Sequence, residues 1–464
     1  MNFADFQRTS DPAAADPLKW IRRLIWLYFV LLIYEGALRK WVMPGLANPL
    51  LIVRDPVVIL IYGLAFAKGV YPSGSFAGWI TGLGIVTFLV SLVSGAGNLL
   101  VSLYGWRTDF LHLPLIFLMP KVLTPRDVRA LCIGLLLTAI PMVLLVMVQF
   151  RAGPSAWVNV GVGGGEGGQL DVGFGKIRPP GTFSFTNGLA NYLTLVAACL
   201  LFAVLDRRYY PRWLLFSAAP ATILMVVISG SRATVSAVVI SVAVLVLICL
   251  RRPGYIGGSL KFVLLALPGL WLVMSLPVFQ EGMMVHAARF GQSCGGVQHG
   301  IIERALGDYL DGFRAAADAP FLGYGLGIGT NAAAGMLSGE RGFLLAEGEW
   351  ARVVKEAGPV LGMAFLLLRV AIAAYLGWMA SFAFERQRNP LPLLVFSASF
   401  LLVIQGQFGQ PTALGFAVFG AGLCLAAMNA VEEGRPEFAA VQVAAPRRRG
   451  RSIFAERLHG GAFQ

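Results

Sequence analysis

The stretch Arg232-Ala-Thr-Val-Ser-Ala-Val-Val-Ile-Ser-Val-Ala-Val-Leu-Val-Leu-Ile-Cys-Leu250, with Arg251-Arg252 behind it, decides the class of fold. It is apolar over the roughly 17–25 residues that a helix needs to cross a bilayer. Similar runs recur near 21–37, 50–68, 76–94, 99–119, 129–150, 187–205, 212–229, 260–277, 358–383, 391–407 and 411–430. The pattern predicts an all-α polytopic bundle of about twelve transmembrane helices. The 99–119 run is interrupted by Arg107, Asp109 and His112. It reads either as one crossing or as a short external helix followed by a span starting near Asp109.

Composition agrees with this class. The chain of 464 residues is 57% hydrophobic and 13% charged, with a mean hydropathy of +0.72. Soluble domains carry about 25% charged residues, so this chain lacks the polar surface of one. The net charge of +13 would suggest an acidic partner or nucleic acid in a soluble protein. In a membrane protein the positive-inside rule explains it first, and no nucleic acid is expected. Cys132, Cys199, Cys249 and Cys424 lie in apolar runs and Cys294 in a long loop, and no spacing suggests a disulfide or a zinc site. Met1–Leu18 is polar and is not read as a cleavable signal peptide.

The short loops give the orientation. Lys19, Arg22 and Arg23; Lys121, Arg126 and Arg129; Arg207, Arg208 and Arg212; Arg251, Arg252 and Lys261; Arg386 and Arg388 all fall on one side if the span count is even. That side is expected to be the cytoplasm, with both termini there. The domains follow: a cytoplasmic segment 1–20, a transmembrane domain 21–430, and a basic tail 431–464, expected to be disordered near anionic headgroups. The long loops 151–186 and 278–357 then face outward. The glycine-rich Gly161–Gly168 lacks the lysine of a phosphate loop and reads as a mobile tip.

Chemistry is sought where polar segments run into spans. Lys176-Ile-Arg-Pro-Pro-Gly-Thr-Phe-Ser-Phe-Thr-Asn187 presents Arg178 from a backbone stiffened by two prolines, with Asn187 expected to cap the next helix. By itself, this Arg178 reads more readily as an interfacial anchor. Arg232, in the short turn Ser229-Gly-Ser-Arg232, sits where a charge is costly without a partner. Function and a snorkelling anchor are evenly matched there. Glu349, Arg352 and Glu356 share a helix face, and Glu347 precedes it. Glu35, Arg39, Lys40, Arg54 and Asp55 flank the first outer turn, where structural ion pairing is expected. His286 and His299 in the long loop read as exposed, with no ligand set for a metal. Gly323-Tyr-Gly-Leu-Gly-Ile-Gly329 is not a dinucleotide fingerprint, since no strand precedes it.

Arg178-Pro-Pro-Gly-Thr-Phe, then Gly230-Ser-Arg232, then Gly323-Tyr-Gly-Leu-Gly327 in a large outer loop, then Glu-x-Gly before a late span together form a pattern. It resembles the O-antigen ligase and polymerase superfamily of bacterial membrane glycosyltransferases, from about the fifth to the tenth span. The resemblance implies a fold similar to C-type glycosyltransferases and transfer from a polyprenyl-pyrophosphate-linked sugar, without metal, nucleotide or other cofactor. It implies that Arg178 and Arg232 hold the donor pyrophosphate, with Lys176 and Asn187 in support. Where ligases of the family carry a histidine after the glycines, this chain has Glu347 and Glu349. Polymerase chemistry with a carboxylate base, Glu349 first and Glu347 second, is therefore expected, with Arg352 and Glu356 beside it.

The physical argument runs the same way. Nucleotide sugars are absent outside the cytoplasmic membrane, so the donor must be lipid-borne. Arginine forks match pyrophosphate oxygens and neutralise the charge that develops as it leaves. A carboxylate can take the acceptor's proton. The expected partners are the lipid-linked donor, a polysaccharide or lipid acceptor, membrane lipids and a polysaccharide assembly complex. The expected home is the inner membrane. The alternatives are ligase-type transfer to a lipid, a secondary transporter and a non-catalytic export subunit.

Overall fold

A computed structural model describes residues 16–94, 98–165, 170–173, 175–291, 297–337 and 344–429. The first fifteen residues, part of the glycine-rich loop, Cys294, the side chain of His299 and the basic tail lie outside the described residues. The helices are α1 (Lys19–Ala37), α2 (Arg54–Ala67), α3 (Ser75–Ser94), α4 (Leu99–Trp106), α5 (Pro114–Val122), α6 (Pro125–Arg151), α7 (Thr186–Leu205) and α8 (Arg212–Ile228). They continue as α9 (Arg232–Arg251), α10 (Ile256–Ser275), α11 (Pro277–Gly291), α12 (Val297–Asp318), α13 (Asn331–Leu337), α14 (Glu349–Gln387), α15 (Leu391–Gln405) and α16 (Pro411–Met428). One small antiparallel hairpin, β1 (Asp171–Gly173) with β2 (Lys176–Ile177), closes the first long loop.

The chain is an all-α helical membrane protein. Among the described residues, 7 helices are long and apolar enough to cross a membrane, and α10 with α11, bent by 77° at their junction, makes an eighth if counted as one span. Several sequence runs fall short of that measure for physical reasons. Helices α8 and α15 have 17 and 15 residues. The 99–119 run is broken: α4 passes into a π-turn over Arg107–Leu111, and Pro114 starts α5. The wide turn gives Arg107, Asp109 and His112, all buried, different directions in which to find partners.

Two ends of the bundle are recognisable from their contacts. At one end, Arg22 donates to the Val122 carbonyl at 3.4 Å, and Arg129 lies over Tyr209 at 3.6 Å. At the same end Arg251 pairs with Glu385 at 3.0 Å, and Asn429 donates to the Pro120 carbonyl at 2.7 Å. The basic loops therefore gather together. At the other end lie the starts of α7, α9, α14 and α16 and the finish of α15. The long loop 278–357 is not bare: it carries α11, α12 and α13. Helix α12 presents Tyr309 and Phe313, four apart, to Trp350, with ring centroids at 4.7 and 6.2 Å. That apolar clasp fixes the outset of α14, whose Trp350 Nε1 donates to the Ile404 carbonyl at 3.2 Å.

Candidate functional site

Helix α14 begins inside a buried knot of charge. Arg352 donates from Nε to Glu349 at 2.9 Å, from Nη1 to Glu356 at 2.7 Å and from Nη2 to Asp109 at 2.9 Å. The i, i+3 and i, i+4 spacings on α14 bring the first two partners to hand. Asp109 arrives from the π-turn. Glu349 is also held by Arg369 Nη1 at 2.8 Å and by the Phe408 amide at 3.1 Å. With two bonds from Arg352, its carboxylate faces four donors, about the number it can accept. Glu356 takes the amides of Gly327 at 3.0 Å and Gly329 at 2.8 Å. The loop 323–329 thus encloses a carboxylate. Gly327 has φ +86°, and a Cβ there would fall against the Val101 carbonyl, so glycine is required for this approach.

Arg369 has no counterpart in the sequence reading. It is wholly buried within α14, and it donates to the carbonyls of Val403 at 2.8 Å and Gly406 at 2.7 Å. Its only signal was a single arginine in the apolar run 358–383. Asp308, on α12, was missed too. It accepts from the Trp350 amide at 3.4 Å, and burial there holds its carboxyl above the usual range.

A second buried cluster sits beside the first. Arg107 grips Asp55 at 2.5 and 3.1 Å, and His112 Nε2 meets the same carboxylate at 3.0 Å. Arg54 donates to Glu35 at 3.0 Å and to the Pro411 carbonyl at 2.5 Å. Arg39 reaches Glu35 at 3.4 Å and Ser184 at 3.0 Å, while Lys40 donates to the Gly181 carbonyl at 2.8 Å. Burial draws the Lys40 ammonium down to about 7. Glu35, Arg39, Arg54 and Asp55 are thus ion-paired, and Arg39 and Lys40 hold Ser184 and Gly181 onto the end of α1.

The elements that precede the two expected donor-binding residues, β2 before Arg178 and α8 before Arg232, both touch α11. Lys176 pairs with Glu281 of α11 at 3.1 Å, two residues before Arg178. Among the described residues, the Arg178 Nε is buried without a hydrogen-bond partner. On the opposite flank, Gly282 of α11 packs on Val227, whose side chain would stand 2.9 Å from a Cβ there. Val227 is near the end of α8, and the turn to Arg232 follows. Ser231 caps α9 by accepting from the Thr234 amide at 3.3 Å. His286 is buried on α11 rather than exposed as its loop setting suggested, because that loop folds into a packed helix. Asn187 does not cap α7: the helix starts at Thr186 after Phe185, and the Asn187 amide instead donates to Gln410 at 3.4 Å.

A pocket of about 290 Å³ opens between α7, α9, α15 and the start of α16. Asn187, Asn191, Ser231, Thr234, Gln405 and Gln407 supply its polar wall. Gln407 also lines a void of about 20 Å³, with Glu347, Glu349, Arg352 and Gln410 around it. Such a void has room for one water. Gln407 donates to the Glu347 carbonyl at 2.9 Å, and its own carbonyl accepts from Gln410 at 2.5 Å. Glu347 is exposed and Glu349 is buried. Gln407 and Gln410 thus link Asn187, at the pocket, to the void beside Glu347, Glu349 and Arg352, while Glu356 lies behind Arg352 under the Gly327 and Gly329 amides. Sequence reading missed the glutamines of Gln405-Gly-Gln-Phe-Gly-Gln-Pro411, whose density in a short turn between two spans was the available signal.

No protein-family model matches the chain, and no curated protein matches it.

Proposed function

We propose that the protein is a polytopic glycosyltransferase of the bacterial inner membrane. It would move a polyprenyl-pyrophosphate-linked sugar onto a growing polysaccharide or a lipid acceptor on the outer side. In this reading α1, α2, α3, the α4–α5 pair, α6 to α10 and α14 to α16 are twelve crossings. The basic loops are cytoplasmic, by the positive-inside rule, and the pocket end faces outward.

The observation that carries the reading is the pocket wall. It starts at Ser231 and Ala233, on either side of Arg232, and leads through Gln407 to the void beside Glu347. A cationic turn at one end and a carboxylate at the other suit a displacement at an anomeric carbon. The acceptor oxygen would form its bond to that carbon as the carbon–oxygen bond to pyrophosphate breaks. The acceptor proton would pass to a carboxylate, and the pyrophosphate would leave on its lipid, held by Arg178 and Arg232. Of the two carboxylates, Glu347 suits the base better. Glu349 is saturated by Arg352, Arg369 and the Phe408 amide, and serves to hold α14 and α15 together.

Binding of a fluorescent polyprenyl pyrophosphate to the purified protein in lipid nanodiscs tests the reading. Arg178→Gln and Arg232→Gln should each weaken it at least tenfold, and lysine at either position should restore only part, since an ammonium cannot form the bidentate fork. Undiminished binding by the double variant would defeat the proposal.

A further inference from the structure

The pocket between α7, α9 and α15 carries a second message in what its wall lacks. Among the described residues, no charged or aromatic side chain lines it. Its polar groups are hydroxyls and carboxamides, and Ala190, Ala233, Ala237 and Ala398 leave the space between them open. Thr234 is the telling residue. It is only 1% exposed, yet its hydroxyl has no hydrogen-bond partner among the described residues. A threonine inside a helix ordinarily returns its hydroxyl to the carbonyl four residues back. Here that residue is Gly230, outside α9, where the chain turns with φ +57°. The hydroxyl of this pocket-lining residue is left buried and unsatisfied, a costly arrangement unless a ligand reaches it.

We propose that this pocket is a subsite for a single uncharged sugar residue, recognised through its hydroxyls by Thr234, Gln405 and Asn191. The inference rests on the glycosyltransferase reading for its place in a reaction, and names the class of sugar that reaction takes. Carboxamides and hydroxyls both donate and accept, which matches the alternating demands of ring hydroxyls. At about 290 Å³ the pocket lies just below the roughly 300–1,000 Å³ range of ligand sites, room for one ring and not an oligosaccharide. A uronic acid would bring a carboxylate against lining side chains that carry no cation, since Arg232 stands at the pocket's end and is not part of its lining, and desolvating an unpaired charge there is costly. The subsite therefore selects neutral sugars over acidic ones. The sugar arrives either on the donor or at the end of the acceptor, and the chemistry of recognition is the same.

Saturation-transfer NMR on the full chain in nanodiscs, with methyl β-glucopyranoside and glucuronate as probes, tests the subsite apart from turnover. The neutral glycoside should bind and glucuronate should not. Thr234→Val keeps the shape, breaks no bond within the protein and should weaken glycoside binding about tenfold, as should Gln405→Ala. If either variant also raises KM for the acceptor alone, the sugar is the acceptor's; a rise for the donor alone makes it the donor's. Equal binding of glucuronate, unchanged binding by both variants, or displacement of the glycoside by a polyprenyl alcohol would each overturn the subsite. Turnover persisting alongside any of these would leave the enzyme reading standing. Glycoside binding without turnover would do the reverse.

Discussion

Glu347 and Glu349 are two residues apart and have opposite circumstances. Glu349 is 1% exposed and bonded to two arginines and an amide, whereas Glu347 is open to the mouth of the site. Removing one partner of a buried ion pair leaves the other charge unpaired, at a cost of about 3–5 kcal/mol. Glu349→Gln should therefore lower the thermal midpoint in detergent sharply, because the buried Arg369 loses its acidic partner and Arg352 loses one of three. Glu347→Gln should leave that midpoint unchanged and reduce turnover by about a hundredfold or more, the effect of losing a general base. Equal stability of the two variants would mean that the knot does not hold the fold. This division was not legible from the chain. The i, i+3, i+7 face on α14 was, and it forms as spaced. But Arg352 reaches Asp109 across 243 positions, and nothing local announces such a partner.

Among the elements, α14 and the glycine loop are one mechanical unit. Gly358 adopts φ +80° ahead of Pro359, which breaks the helix, and the loop fits into that break. The Tyr324 and Gly325 amides donate to the carbonyls of Lys355 at 2.8 Å and Glu356 at 3.0 Å. Gly327→Ala would force a methyl against the Val101 carbonyl and pull the loop amides from Glu356. It should lower both the thermal midpoint and turnover. Gly335→Ala, with open space around its Cβ, should change neither. Indistinguishable behaviour of the two variants would show the loop to be incidental. Apolar periodicity revealed most helices, since hydrocarbon demands long apolar runs. It could not reveal α12, whose sequence is mixed and whose place depends on Trp350. Nor could it show that the 99–119 run is split by a π-turn serving two charge clusters, although its three interrupting polar residues marked the spot.

Across the whole molecule, charge is segregated by end. Among the described residues, exposed basic loops gather at one end, and two buried clusters of paired ions at the other, together with the polar pocket. That asymmetry was legible in the loops, whereas the pocket arises only when α7, α9 and α15 pack. It also sets the sidedness of the proposed reaction: donor and acceptor must meet at the pocket end, away from the basic loops. Turnover in sealed membrane vesicles of known orientation tests the central claim most directly. A polyprenyl-pyrophosphate-linked neutral sugar, supplied to right-side-out vesicles, should yield lengthened glycan and free polyprenyl pyrophosphate in equal amounts. Glu347→Gln vesicles should yield neither. Sugar product formed at the same rate by that variant, or formed only when the donor reaches the basic face, would contradict the account.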